Sequence, residues 1–261
     1  MAEGTLIFGI SLAILGIFEG DKRPWLAGIG SAIAACSKMS GIVLAPVGLL
    51  SVLWIAPKIK NQRTKLVRNV VLFLTSFLVL YFILNPFLWS NPLKAVQSQW
   101  NERMQFTRGI VEEIEVRAPN QILNSPLKRI VSMTVHLYIA DLQFAEAGNY
   151  ASNTSLEETA YLSQPFHTLF RGVLAGFIMI TLTLMGVVNL GIGIRESGVG
   201  THKTLMLLLI ASIAQILALV WANPLPFQRY FIPIVPFVCL WIGYAAVETV
   251  ERIKKATSHK K

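Results

Sequence analysis

The chain has 261 residues, of which 54% are hydrophobic and only 14% charged, where soluble domains carry about 25% charged residues. So few charges cannot clothe a water-exposed surface. The composition therefore argues against soluble enzymes, DNA-binding domains and disordered linkers, and for an integral membrane protein. A net charge of +9 belongs in that setting to membrane-flanking loops, not to a nucleic-acid partner. Cys36 and Cys239 both fall in apolar runs and read as small packing residues, with no disulfide framework or paired metal ligands. The N-terminal residues lack the charged region and small-residue cleavage site of a signal peptide.

Seven apolar segments succeed one another along the chain: Gly4–Phe18, Trp25–Ser37, Gly41–Ala56, Asn69–Leu84, Gly172–Ile194, Thr204–Ala222 and Phe231–Val247. A spanning helix needs about 20 apolar residues, and the second and third segments are short. They read either as two passes or as a broken, re-entrant pair around Lys38. Basic residues set the expected orientation. Lys58, Lys60, Arg63, Lys65 and Arg68 form one cluster, and Arg252, Lys254, Lys255, Lys260 and Lys261 another. Placing both inside also places Lys22, Arg23, Arg195 and Lys203 inside. Lys38 and Arg229 then fall outside, with Lys94, Arg103, Arg108, Arg117, Lys128, Arg129 and Arg171 in or beside one long outer loop. The N-terminus is expected outside and the C-terminus in the cytoplasm, with a bacterial inner membrane as the preferred host.

The expected fold is thus an all-α polytopic membrane protein. It would have about seven transmembrane helices and one large outer loop containing amphipathic interfacial helices. Four membrane segments occupy residues 1–84, the outer loop 85–170, three more spans 171–247, and a basic tail 248–261. Within the loop, Asn91 and Pro92 supply a cap and a first helical position, with Leu93, Val96, Trp100 and Met104 after them at helical spacing. Ser125 and Pro126 start a second run, with Leu127, Ile130, Val131, Thr134, Tyr138 and Leu142 on one side. Such a helix beside a membrane either lies on the interface or covers a cavity.

No Asp or Glu falls inside the seven segments, so Lys38 is the one ionisable residue bracketed by apolar sequence. An ammonium there requires an anion, water or a carbonyl cage. It reads either as a ligand of lipid phosphate or as a turn-capping lysine that snorkels outward. Arg229 lies in Asn223-Pro-Leu-Pro-Phe-Gln-Arg-Tyr230, where Pro224 and Pro226 stop the preceding helix. It offers a two-pronged phosphate grip or, with Tyr230, an interfacial anchor.

The acidic residues of the loop (Glu102, Glu112, Glu113, Glu115, Asp141, Glu146, Glu157 and Glu158) read as solvated surface charges, although each is a general base in principle. His136 and Asp141 are poorly spaced for a metal site. Asn153-Thr154-Ser155 matches the short N-glycosylation pattern. Trp89 and Trp100 suit either sugar stacking or the interfacial belt, with Glu102 and Arg103 beside Trp100 as further acceptor or sugar contacts. The sequence contains no P-loop, HExxH or Gly-x-Ser-x-Gly, and no internal repeat.

Three stretches carry a family resemblance: Gly28–Pro46 with its Lys38, Asn85-Pro-Phe87 opening the long loop, and Gln228-Arg-Tyr-Phe-Ile-Pro-Ile-Val-Pro236. They resemble membrane glycosyltransferases of the GT-C class, in the protein O-mannosyltransferase and aminoarabinose-transferase branch. The resemblance implies transfer of a sugar from a polyprenyl phosphate to an acceptor hydroxyl on the outer face. It implies Lys38, Arg229 and Tyr230 at the lipid phosphate, with no cofactor beyond a compatible divalent cation.

These enzymes carry an acidic catalytic motif in the first outer loop, and the Lys38 turn holds no such residue. The chain is therefore expected to match a C-terminal portion, with the catalytic part supplied by missing sequence or by a separate chain. Glu102 or Asp141 would take the base role in a self-sufficient chain. The rival expectation is a transporter or assembly subunit, since a broken helix pair around a lysine also suits anion transport.

Overall fold

The computed structural model describes residues 2–55, 62–143, 151–166 and 171–258. Among these residues it is helical, with no strand. The helices are α1 (Ala2–Glu19), α2 (Pro24–Ser37), α3 (Leu44–Ile55), α4 (Gln62–Leu84), α5 (Pro92–Arg117), α6 (Pro126–Tyr138), α7 (Ala151–Leu162), α8 (Val173–Ser197), α9 (Lys203–Ala222) and α10 (Val235–Ser258). Lys58, Lys60, Glu146, Lys260 and Lys261 of the charge pattern lie outside the described residues.

Five helical stretches are long and apolar enough to cross a membrane: Ala2–Glu19, Arg63–Leu84, Val173–Ser197, Lys203–Ala222 and Ile232–Lys254. The other two expected spans form shorter apolar helices, Pro24–Ser37 and Met39–Trp54. At about 1.5 Å per residue α2 is only some 21 Å long, short of a hydrocarbon core of about 30 Å. Five, not seven, is therefore the number of full-length candidates among the described residues. The interruption falls at Lys38, whose extended backbone ends α2 and opens a 3₁₀ turn at Met39–Val43.

The chain forms two compact units. The first comprises residues 1–101, 187–218 and 233–240, and the second 102–186, 219–232 and 241–261. In the first, α2 is enclosed by α1 and α4, and the contacts are too close for ordinary side chains. A Cβ on Gly16 would strike the Ala27 backbone, one on Gly30 the Ala13 backbone, and one on Gly28 Ser76 and the Phe73 carbonyl. Small residues at such crossings let backbones pack where no hydrophobic force exists between lipid-immersed helices. Beside this seam, Ala27, Val52 and Phe73 form a buried cluster from α2, α3 and α4.

Both ends of this bundle are tied by charge. At one end Lys38 Nζ lies 3.0 Å from Glu3 Oε1. At the other, past the left-handed Gly20 (φ 54°) that terminates α1, Lys65 pairs with Asp21, and Asn69 Nδ2 donates to the Asp21 carbonyl at 3.1 Å. Lys203 Nζ reaches the Trp54 carbonyl near the end of α3 at 3.5 Å. Lys38 and Lys65 therefore mark opposite ends of α1.

The loop helices start where their caps lie. The Lys94 N–H donates to Asn91 Oδ1 at 3.2 Å and the Lys128 N–H to Ser125 Oγ at 3.3 Å, each ahead of a helix with proline in its first turn. Helix α6 ends at Tyr138, where the Ile139 and Ala140 N–H groups share the Val135 carbonyl, so Leu142 falls beyond it. The apolar stripes point outward. Leu93 is 83% exposed and Trp100 58%, with Leu127 at 70% and Val131 at 54%. The face of α6 that packs inward carries Met133, Arg129 and His136 instead. Helix α7, unforeseen in the sequence pattern, carries an exposed Leu156.

The cysteines also depart from expectation. Cys239 is exposed on α10, and Cys36 is half-buried with its sulfur accepting from Asn85 Nδ2 at 3.1 Å.

Gly30→Val is expected to lower stability by about 1–3 kcal/mol through overpacking. Gly191→Ala, where a Cβ meets nothing within 4 Å, should change it by less than about 1 kcal/mol. Thermal unfolding of both variants in detergent measures the contrast.

Candidate anion site beside Tyr230

The site is built on the segment that joins α9 to α10. Pro224 and Pro226 prevent continuation of α9, and Asn223 Oδ1 accepts from the Leu225 N–H at 3.2 Å, closing a local turn. Leu225 and Phe227 then enter a buried cluster with Ile114 of α5. The outgoing carbonyls of α9 meet one arginine: Arg129 donates to the Val220, Trp221 and Leu123 carbonyls at 2.8, 2.9 and 2.8 Å. A cation at a helix C-terminus satisfies both the orphan acceptors and the macrodipole.

Gln228 pins the next step. Its Nε2 donates to the carbonyls of His136 at 3.1 Å and Asp141 at 3.0 Å. Its backbone N–H donates to Gln143 Oε1 at 2.8 Å, and its Oε1 accepts from the Gln143 N–H at 3.0 Å. Arg171 closes the same region by donating to the carbonyls of His136, Leu137 and Ala140 at 3.0–3.3 Å. The adjacent Gly172 (φ 97°) donates its N–H to the Ile139 carbonyl, in a conformation that glycine adopts without strain.

With Gln228 fixed, the 3₁₀ turn Gln228–Tyr230 presents Arg229 and Tyr230. The Tyr230 ring stacks on Phe227, with centroids 5.8 Å apart. Two guanidiniums approach it: Arg229 Cζ lies 5.4 Å from the ring centroid and Arg103 Cζ 5.8 Å. Arg103 also sits 5.8 Å from the Phe106 ring. Arg103 and Arg229 are both exposed and Tyr230 is half-buried. Aromatic faces hold guanidiniums by cation–π attraction, and the planar fork of a guanidinium matches the geometry of a phosphate. Two cations sharing one ring repel each other, so an anion between or beside them is electrostatically favoured.

The sequence candidates thus separate. Arg103, Arg229 and Tyr230 come together in the second unit, and Glu102 precedes Arg103 on the exposed side of α5. Lys38, Trp89 and Trp100 belong to the first unit. Trp89 donates its indole N–H to the Phe82 carbonyl at 2.9 Å, and the residue is 61% exposed. Lys38 is held by Glu3, which the apolar segments left just outside the first span; α1 begins at Ala2 and draws Glu3 into its first turn.

Sequence reasoning missed Glu3, Gln228, Arg129 and Arg171. Gln228 stands inside the Phe-Gln-Arg-Tyr run, but its carbonyl partners lie far off in sequence. No group of three His, Cys, Asp or Glu among the described residues is placed to hold a metal ion. Compared with known proteins, the chain matches no family model, no curated protein and no solved structure.

His136 lies under this site with its ring stacked on Phe231, centroids 5.9 Å apart, and its Nδ1 buried without a hydrogen-bond partner among the described residues. Burial first, and then the Arg171 charge, push its pKa below the ordinary imidazole value of 6.5. The folded state therefore favours the neutral ring, and the unfolded state takes up the proton first. The stabilisation is complete above about pH 6.5 and is lost as pH falls below it. Thermal midpoints should drop between pH 7 and pH 5.5, and His136→Gln should flatten that slope.

Arg129→Met, which strands three carbonyls, should cost about 2–3 kcal/mol, read as a lowered unfolding midpoint at pH 7.

Proposed function

We propose that the chain is the C-terminal portion of a membrane glycosyltransferase that uses a polyprenyl-phosphate sugar on the outer face of a bacterial inner membrane. The observation that carries this reading is the pair of guanidiniums, Arg103 and Arg229, on the Tyr230 ring. The turn bearing Arg229 and Tyr230 is locked by Gln228 and Arg129. The resemblance of Lys38 and of the Gln228–Pro236 run to GT-C enzymes supplies the reaction class.

In that reaction the bond between the sugar's anomeric carbon and the phosphate oxygen breaks, and the acceptor hydroxyl oxygen bonds to that carbon. Electrons of the broken bond go to the phosphate, where preorganised cations stabilise the developing charge. The acceptor proton goes to a carboxylate. That base is assigned to none of the described residues. Arg103 moves from the sugar-contact role expected of it to the phosphate, alongside Arg229, and Lys38 is a phosphate ligand of the first unit. The outward stripes of α5 and α6 face lipid at the interface, where Trp89 and Trp100 belong to the aromatic belt.

The test is binding of a polyprenyl monophosphate by the full chain in nanodiscs. Arg103→Ala and Arg229→Ala are each expected to weaken it about 10- to 100-fold, as loss of charge-assisted hydrogen bonds does. Arg229→Lys should fall in between, because it keeps the charge and loses the fork. Wild-type affinity in both alanine variants would refute the assignment. Phosphate-driven flux in liposomes would favour the transporter reading instead.

A further inference from the structure

We propose that Glu3 is an internal counter-anion that occupies Lys38 in the ligand-free chain and is displaced by an incoming phosphate. The proposal rests on the reading of Lys38 as a phosphate ligand. The ion pair joins Glu3 Oε1 and Lys38 Nζ at 3.0 Å, with the side chains 35% and 21% exposed. It therefore sits at an accessible rim of the bundle, where a second anion reaches the ammonium without unpacking the core.

Local charge explains why the two residues meet. Glu3 lies in the first turn of α1, whose N-terminal N–H groups attract a carboxylate, and Lys38 comes directly after the last residue of α2, whose carbonyl end attracts a cation. The polyprenyl-phosphate sugar is a phosphodiester, equal to a carboxylate in charge but with two unesterified oxygens, whereas the polyprenyl monophosphate left after transfer presents three acceptor oxygens and close to two negative charges. Both compete for the ammonium by the same chemistry, the monophosphate with greater strength.

The first turn of α1 can yield in that exchange. Helices α1 and α2 are locked together further along, where Gly9 meets Ala34, Ala13 meets Gly30 and Gly16 meets Ala27. A Cβ at Gly4 would meet nothing within 4 Å, so the close helix crossing does not extend to the residue beside Glu3. The ion pair is therefore a contact laid over an already packed interface. Its consequence is a set-point: the carboxylate lowers the affinity of Lys38 for every anion, so that only strong competitors occupy it.

The experiment measures binding to the full chain in nanodiscs, with a polyprenyl monophosphate in the bilayer in one arm and inorganic phosphate in solution in the other. Glu3→Gln should bind the lipid about two- to fivefold tighter, the range a partly exposed ion pair supplies. Lys38→Gln should bind it more weakly, and the double variant should match Lys38→Gln. A gain confined to the lipid arm supports competition for a headgroup; an equal gain with inorganic phosphate supports competition for phosphate in general.

Unchanged or weaker binding by Glu3→Gln, with Lys38→Gln still impaired, overturns the counter-anion role and leaves Lys38 a ligand. Wild-type binding by Lys38→Gln overturns the ligand reading itself, and the proposal with it. Glu3→Asp, which keeps the charge and shortens the reach, provides a milder variant. It should show a smaller gain, and no gain in either Glu3 variant rejects the proposal.

Discussion

Backbone carbonyls left over at helix ends need donors, and those that the fold takes out of water must find them in the protein. In the second unit that constraint is met by two arginines. Arg129 collects the carbonyls of Val220, Trp221 and Leu123, and Arg171 those of His136, Leu137 and Ala140. Because a guanidinium has five donors in a rigid plane, each arginine fixes several backbone segments at once. Gln228 does the same with an amide, and the Arg229–Tyr230 turn inherits its position from these three side chains. Without them the two prolines would interrupt α9 but would not aim Arg229 or Tyr230.

The first unit answers a different demand. Its helices have no hydrophobic reason to prefer one another over lipid, so α1 and α2 meet through Gly9, Ala13, Gly16, Ala27, Gly30 and Ala34, where backbone approaches backbone. Charge is kept to the two ends, Glu3 with Lys38 and Asp21 with Lys65. Ion pairs at such rims set which ends of the helices coincide, while the small-residue seam supplies the close packing. A partly exposed pair is therefore replaceable by another anion at modest cost, whereas the seam is not.

Helices α5 and α6 each bury an apolar residue, Ile114 and Met133, and yet leave a second apolar stripe uncovered. The covered face of α6 combines Met133 with Arg129, which reaches the carbonyls at the end of α9, while α5 buries Ile114 against Leu225 and Phe227 and leaves Arg103 exposed beside the Tyr230 ring. Their apolar residues, Leu93, Trp100, Leu127 and Val131, turn outward, the side on which a bilayer interface supplies an apolar medium. Periodicity alone identified the stripes correctly and left open which side of each helix the protein covers, since a stripe has the same spacing in either case.

Hydropathy, cap residues and prolines are local, and the sequence by itself therefore determined the helical membrane class, the starts of α5 and α6, the break at Lys38 and the segment on which Arg229 sits. It also singled out Arg103, Arg229 and Tyr230 one by one. Tertiary structure alone decided that these three share one ring, that Lys38 has Glu3 for a partner, that five helices reach full spanning length, and that Gln228 holds the turn. The reason is physical. Capping acts over four residues and hydrophobicity over about twenty, but a guanidinium over an aromatic face or a carboxylate beside an ammonium joins residues 35 to 127 positions apart, and only packing brings such residues within reach.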